Sequence, residues 1–229
     1  MLNTFEDMKR GGLCFVGSQR HIEANNKYCD DYDSSKPSTY IMYWDANNLY
    51  GGAMSEFLPY DGLRYNNDLT LEDVRNTDDY AEEGHAVRVD LYFPPEIHGR
   101  LKEFPPAPEN IIPKVEWFSE FQKELGKKTG NIKKDGTYNG SPKLVPHLYE
   151  HKNYVIHYRN LKFLLDLGVK VTKLHEVITF KQSAWMKPYI EFNSIKRAQA
   201  KNDFGKDFFK LMNHAVLGTT MENVKIVLI

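Results

Sequence analysis

The nine residues His85-Ala86-Val87-Arg88-Val89-Asp90-Leu91-Tyr92-Phe93 alternate apolar with polar side chains and then meet Pro94-Pro95. Period two sends successive side chains to opposite faces, so the segment predicts a strand with one face on a core and one in solvent, stopped by the prolines. A chain holding such a strand must supply backbone partners for it. Val169–Phe180 alternates in the same way and predicts one or two more strands, and Lys143–Tyr149 predicts another. Tyr40-Ile41-Met42-Tyr43-Trp44 has the length and composition of a buried strand, with Asp45 at its C-terminal end and a turn over Ala46–Gly52 leading to a Leu58-Pro59-Tyr60 corner.

Helical periodicity is confined to a few stretches. Val155, Tyr158, Leu161 and Leu165 recur at helical spacing over Tyr154–Leu167, with Gly168 where a C-cap belongs. Ser194 is an N-cap candidate for a helix, in one or two pieces, reaching about Val224. Gly205 is its weak point, because a mid-helix glycine costs about 1 kcal/mol against alanine. Residues 1–37 are polar and broken and predict an extended lead-in; 61–83 reads as an acidic loop with a short helix over Leu69–Val74. Pro105, Pro106, Pro108 and Pro113 keep 103–113 extended, Glu116–Leu125 is helical, and 126–142 is a loop rich in Gly and Lys.

Composition narrows the function classes. With 229 residues and 41% apolar side chains the chain can bury a core. No run approaches the roughly eighteen apolar residues of a membrane span, and the N-terminus lacks an apolar signal core, so an intracellular protein with no membrane partner is expected, in nucleus, cytoplasm or mitochondrion alike. Cys14 and Cys29 are the only cysteines, too few for a disulfide framework or a four-cysteine zinc site. The net charge of −1 hides a polarised chain: residues 1–113 carry 10 Lys+Arg against 20 Asp+Glu, and 114–229 carry 20 against 11. The basic half suits phosphate, and solvated faces give the same count.

Two segments carry candidate chemistry. Asp45 at a strand end is either a turn-former or a hard carboxylate that shares Mg²⁺ with substrate phosphates. On a C-terminal helix, Arg197 and Lys201 share one face, as do Lys206, Lys210 and His214, opposite an apolar stripe of Phe204, Phe208, Leu211 and Ala215 that predicts core. Those basic residues are either a solvated face or a grip for a triphosphate. His147, His151 and His157 have partly helical spacing but no carboxylate or cysteine in register, which argues against zinc. His175-Glu176 lacks a second histidine, and Gly126-Lys127-Lys128-Thr129 lacks the upstream glycine of a phosphate loop.

Asp45-Ala46-Asn47-Asn48-Leu49-Tyr50 resembles motif A of family B DNA polymerases, D-x-x-S-L-Y-P, and the segment from Lys210 to Gly218, K-L-M-N-H-A-V-L-G, resembles their motif B, K-x-x-x-N-S-x-Y-G. Arg10-Gly11-Gly12 is similar to the Y-x-G-G element upstream, and Leu58-Pro59-Tyr60 to a segment of the protein-primed members. The stretch between the two motifs looks like the polymerases of self-synthesising transposons and linear plasmids. The resemblance implies an α+β fold: a partial polymerase palm of antiparallel strands, an insertion domain and helical fingers. Its parts would be a lead-in over 1–37, palm with motif A over 38–60, a terminal-protein insertion over 61–190 and fingers over 191–229.

By the same resemblance, Asp45 is the catalytic carboxylate and, with the Ala46 carbonyl, a ligand of Mg²⁺, or Mn²⁺ in its place. Asn47, Asn48, Leu49 and Tyr50 would meet the incoming dNTP, with Tyr50 under its sugar. Arg197, Lys201, Lys210 and His214 would hold its phosphates, and Gly11, Gly12 and Gly218 would border the DNA template-primer. The partners implied are DNA, dNTP and a terminal-protein primer. The chain departs from the pattern at Gly51, His214, Ala215, Leu217 and Thr219, and the Asp-Thr-Asp of the third motif occurs nowhere in it. Two-metal transfer needs that second carboxylate, so the isolated chain is expected to be inactive. The alternative from another class is a non-catalytic remnant that binds nucleic acid or terminal protein through charge and stacking.

Overall fold

The computed structural model describes residues 1–13 and 22–221. Cys14 and the apolar tail over Lys225–Ile229 lie outside the described residues. In chain order the elements are α1 Leu2–Met8, α2 Leu49–Met54, β1 Leu58–Tyr65, α3 Leu71–Asn76, β2 Glu83–Tyr92, α4 Pro95–Leu101, β3 Glu109–Ile111, α5 Glu120–Lys128, β4 Lys143–Val145, β5 His151–His157, α6 Tyr158–Asp166, β6 Lys170–Ser183, α7 Lys187–Gln199 and α8 Asp203–Met221. Four strands share a sheet in the order β1-β6-β2-β5, and β3 pairs with β4. The chain is α+β. It divides into two units built from separated segments, one of 1–15, 63–79 and 84–179, the other of 16–62, 80–83 and 180–229.

The alternating segment is strand β2, but it is buried on both faces. Val87, Val89 and Leu91 join the core with Tyr154, Ile156, Leu161, Leu164 and Val177. The polar face is covered as well, by α1 from the supposed lead-in: Thr4 Oγ1 donates to Glu176 Oε1 at 2.9 Å, and Asp7 pairs with Arg88 at 3.1 Å. Buried polar groups there have partners, as they must. On the face it shares with Val87 and Val89, His85 holds Thr179 Oγ1 at 3.0 Å and Thr77 Oγ1 at 3.2 Å through its two ring nitrogens.

The register of β2 on β5, antiparallel with Ala86 opposite His157 and Leu91 opposite His151, shifts between Val89 and Leu91. That irregularity frees Asp90, whose Oδ1 accepts the Asn153 N–H at 2.8 Å and lies 2.7 Å from His175 Nε2. These bonds hold the Asp90 carboxyl at about 2, the Asn153 N–H contributing most.

Several expectations are corrected. Tyr154–His157 belong to β5 and the helix begins at Tyr158, because the β-branched and aromatic run finds a partner in β2. The C-terminal end of α6 is as expected: Gly168, at φ 97°, donates to Leu165 O and Val169 to Leu164 O, a Schellman closure. Leu58-Pro59-Tyr60 opens strand β1 rather than a corner, at a sheet edge where proline's missing N–H is harmless. The Thr70 capping box with Asp73 starts α3, and Ser119 with Gln122 starts α5. Pro94-Pro95 stops β2 and opens α4, proline at the first helical turn needing no donor.

Tyr40–Trp44 is not a strand. Among the described residues no strand lies beside it to take its backbone groups, and its rings stand in solvent, Tyr43 at 90% and Trp44 at 81% exposure. Apolar composition alone does not make a strand without a ladder. In the same unit Met54, Met186 and Ile190 form a small core with Leu58, Val216 and Leu217. Helix α7 starts seven residues before Ser194, and the break before α8 falls at 200–202, where Asn202 Oδ1 accepts the Gly205 N–H at 2.8 Å.

The inward stripe of α8 is also displaced. Phe204 is 80% exposed and Phe208 and Leu211 are exposed too, whereas Phe209, Met212, Asn213, Val216 and Leu217 face inward. A stripe offset by one residue turns the helix by about 100°.

Candidate functional site

Asn48 is the left-handed residue (φ 54°) that ends the turn after Asp45 and sits at the N-terminus of α2. The Asn48 side chain lies against Gly51, where a Cβ would stand 2.2 Å from Asn48 Nδ2. Helices α7 and α8 pack on each other, with the Tyr189 hydroxyl donating to Met212 O at 3.2 Å. Between these elements lies a cleft of about 390 Å³ lined by Asn48, Ser194, Arg197, Ala198, Lys206, Lys210, Asn213 and His214.

Its charge is one-sided. No carboxylate lines it, and neither Arg197 nor Lys210 has an ion-pair partner among the described residues; Lys206 lies 3.2 Å from Asp203. Converging cations without counter-charges favour an anion with several oxygens. Asn213, 4% exposed, places its Oδ1 here without a hydrogen-bond partner. A donor on a bound molecule would satisfy it.

Of the residues expected to meet a nucleotide, Asn48, Arg197, Lys210 and His214 share the cleft. Asn47, Leu49, Tyr50 and Lys201 do not line it; Tyr50 and Leu49 are exposed on α2, and Lys201 lies beyond the end of α7, so it does not share a helix face with Arg197. Asp45 and Ala46 are exposed coil, and no hydrogen bond or ion pair engages the Asp45 carboxylate among the described residues. Gly218 is exposed on α8, and Gly11 and Gly12, in the other unit, have open space where a side chain would stand. Ser194 and Asn213 were not expected at the site. Asn213 precedes His214 in the motif-like segment, and Lys206 follows from its spacing of four to Lys210.

The other unit holds a second group of polar side chains. Glu109, His147 and His151 bring one ligand atom each to within 4.8 Å of one another. Burial opposes ionisation of Glu109, but His147, His151 and Arg10 together hold it below the usual carboxylate range. Burial holds His151 below the ordinary imidazole range. In the same unit His175 is taken by Asp90, and His157 is pushed down to about 4, chiefly by burial.

The chain matches no family model, no curated protein and no solved structure. Among the described residues no helix is long and apolar enough to cross a membrane.

Proposed function

We propose that this chain carries the nucleotide-binding part of a protein-primed family B DNA polymerase and that the basic cleft receives the triphosphate of a dNTP. One observation carries the reading: the two segments that resemble polymerase motifs, far apart in sequence, contribute Asn48 and Lys210 to the same cleft. In this reading Arg197, Lys206 and Lys210 grip phosphate oxygens, and Asn48 and Asn213 supply amide groups beside them.

The fit to Mg²⁺ is partial. Asp45 and the Ala46 carbonyl offer ligands for one ion shared with phosphates. Asp45 belongs to no cluster of three acidic, histidine or cysteine side chains among the described residues. A bound Mg²⁺ would neutralise phosphate charge, and the protein's own contribution is the cationic cradle.

Titration of the chain with dATP and with inorganic tripolyphosphate tests the reading. Both should bind, and Lys210→Ala should weaken both about tenfold, since hydrogen bonds to charged groups contribute about 1.5–3 kcal/mol. Lys170→Ala, an exposed change on β6, should leave affinity unchanged. If neither compound binds, or Lys210→Ala is silent, the proposal falls. No dNTP incorporation is expected from the isolated chain.

A second reading is favoured by the exposed rings of Tyr43, Trp44 and Phe204 together with the basic half of the chain. It is non-catalytic binding of single-stranded nucleic acid by stacking and charge. Such binding would weaken steeply with salt and ignore both Mg²⁺ and Asp45→Ala.

A further inference from the structure

We propose that Glu109, His147 and His151 form a binding site for one divalent cation of the zinc class, independent of the nucleotide cleft. The three come together by pairing rather than by sequence spacing. Glu109 begins β3, opposite Val145 of β4; His147 follows β4 by two residues; His151 begins β5 opposite Leu91. The carboxylate absent from the histidine spacing arrives from across the two-stranded sheet.

The distances suit a single ion. Glu109 Oε2 lies 2.9 Å from His147 Nε2 and 3.9 Å from His151 Nε2. Zinc bonds of about 2.0–2.2 Å in a tetrahedron place neighbouring ligand atoms about 3.3 Å apart, between those two values. The rings stack with centroids 4.4 Å apart. Two imidazoles and one carboxylate are ligands of zinc-type chemistry and leave a fourth position for water.

Two further observations ask for positive charge at this point. His147 is 8% exposed, and neither of its ring nitrogens has a hydrogen-bond partner; the contact with Glu109 is close but lies outside hydrogen-bond geometry. His151, wholly buried, has a backbone carbonyl 2.8 Å from each ring nitrogen, Tyr149 O at Nδ1 and Ala107 O at Nε2. A neutral imidazole has one donor and one acceptor, so one of these contacts opposes a lone pair to a carbonyl oxygen. Donation from Nδ1 to Tyr149 O is the usual outer bond of a metal-bound histidine, and it leaves the Nε2 lone pair on the side of Glu109, with the Ala107 carbonyl oxygen beside it.

The surroundings are apolar and aromatic. Phe93 and Tyr154 pack on His151, and Trp117 and Tyr149 pack by His147. Ala107 is held at φ 61°, a backbone conformation that alanine rarely adopts, and its carbonyl is the one at His151. An ion here would pin the β3–β4 pair to the edge strand β5.

The test loads the purified, chelator-treated chain with Zn²⁺ and, separately, Co²⁺. One ion per chain is expected, with tetrahedral Co²⁺ absorption bands, two paramagnetically shifted imidazole resonances and a Tm that rises with Zn²⁺. Glu109→Gln and His147→Ala should each weaken binding about 100-fold or more, since losing outer-shell partners alone costs 10–100-fold. Absence of Co²⁺ bands in the parent chain overturns the proposal and leaves a shared proton as the charge between these groups. Bands without two shifted imidazoles, or binding retained in Glu109→Gln, also overturn it, and these readouts do not depend on His147→Ala folding.

Discussion

Gly51 lies directly under the side chain of Asn48, so close that a methyl group at 51 would stand 2.2 Å from Asn48 Nδ2. The Asn48 amide keeps this position only because its neighbour three positions on has no side chain. Gly51→Ala should turn the Asn48 amide out of the cleft while changing stability by no more than about 1 kcal/mol, because the clash is with a rotatable side chain and alanine suits the helix better than glycine. Urea unfolding measures the second effect and dATP titration the first; an unchanged affinity would remove Asn48 from the site.

Arg197 and Lys210 come from different helices and share one cleft. If both hold the same triphosphate, their alanine substitutions should not be additive for tripolyphosphate affinity, with a coupling of about 0.5–3 kcal/mol in a double-mutant cycle. Salt should weaken the parent most and the double variant least, as screening shortens from about 10 Å at 0.1 M to about 3 Å at 1 M.

Acid should unfold the chain in two stages. His157 titrates near 6.5 unfolded and near 4 folded, so the unfolded chain binds the extra proton first, and stability falls as pH drops from about 6.5 to 4. Asp90 is depressed from 3.8 to about 2, so its contribution, complete above about 4, is lost as pH falls towards 2. Urea midpoints against pH should show both stages. His157→Gln should flatten the first and Asp90→Asn the second.

Gly168→Ala tests the end of α6. The residue sits at φ 97°, and an added Cβ would meet Ile97 Cγ2 at 3.0 Å. Both strain and contact oppose the change, so a loss of more than about 1 kcal/mol is expected in thermal or urea unfolding. A neutral result would mean that the helix closes differently.

What was legible in the sequence was local chemistry. The alternation of His85–Phe93, the short helices expected near Leu69–Val74 and Glu116–Leu125, and the Gly168 cap all act within a few residues, and each is present as a strand, a helix or a cap; the Thr70 and Ser119 capping boxes that start the two helices were not read from the sequence. Long-range covering was illegible: nothing in residues 85–93 says that α1 will bury their polar face, and nothing in Tyr40–Trp44 says that no strand will lie beside it. The α8 stripe failed for a related reason. Phe204, Phe208 and Leu211 have the right spacing, but which of two adjacent rows turns inward depends on Met186 and Ile190 of another segment. At the cleft, Lys210, His214 and Arg197 were legible as basic side chains on helices, while Ser194 and Asn213 carry no charge or spacing to mark them. Glu109 was missed because strand pairing, rather than spacing, brings it to the histidines.

The discontinuity of the unit that holds the cleft sets an order of events during synthesis. Segment 16–62 leaves the ribosome early, yet α2 packs against α7 and α8, which follow Phe180. The Asn48 turn must therefore wait for both helices while residues 63–79 and 84–179 of the other unit are made. A ribosome that stalls between Thr179 and α8 releases a product that has every residue of one unit and no phosphate grip.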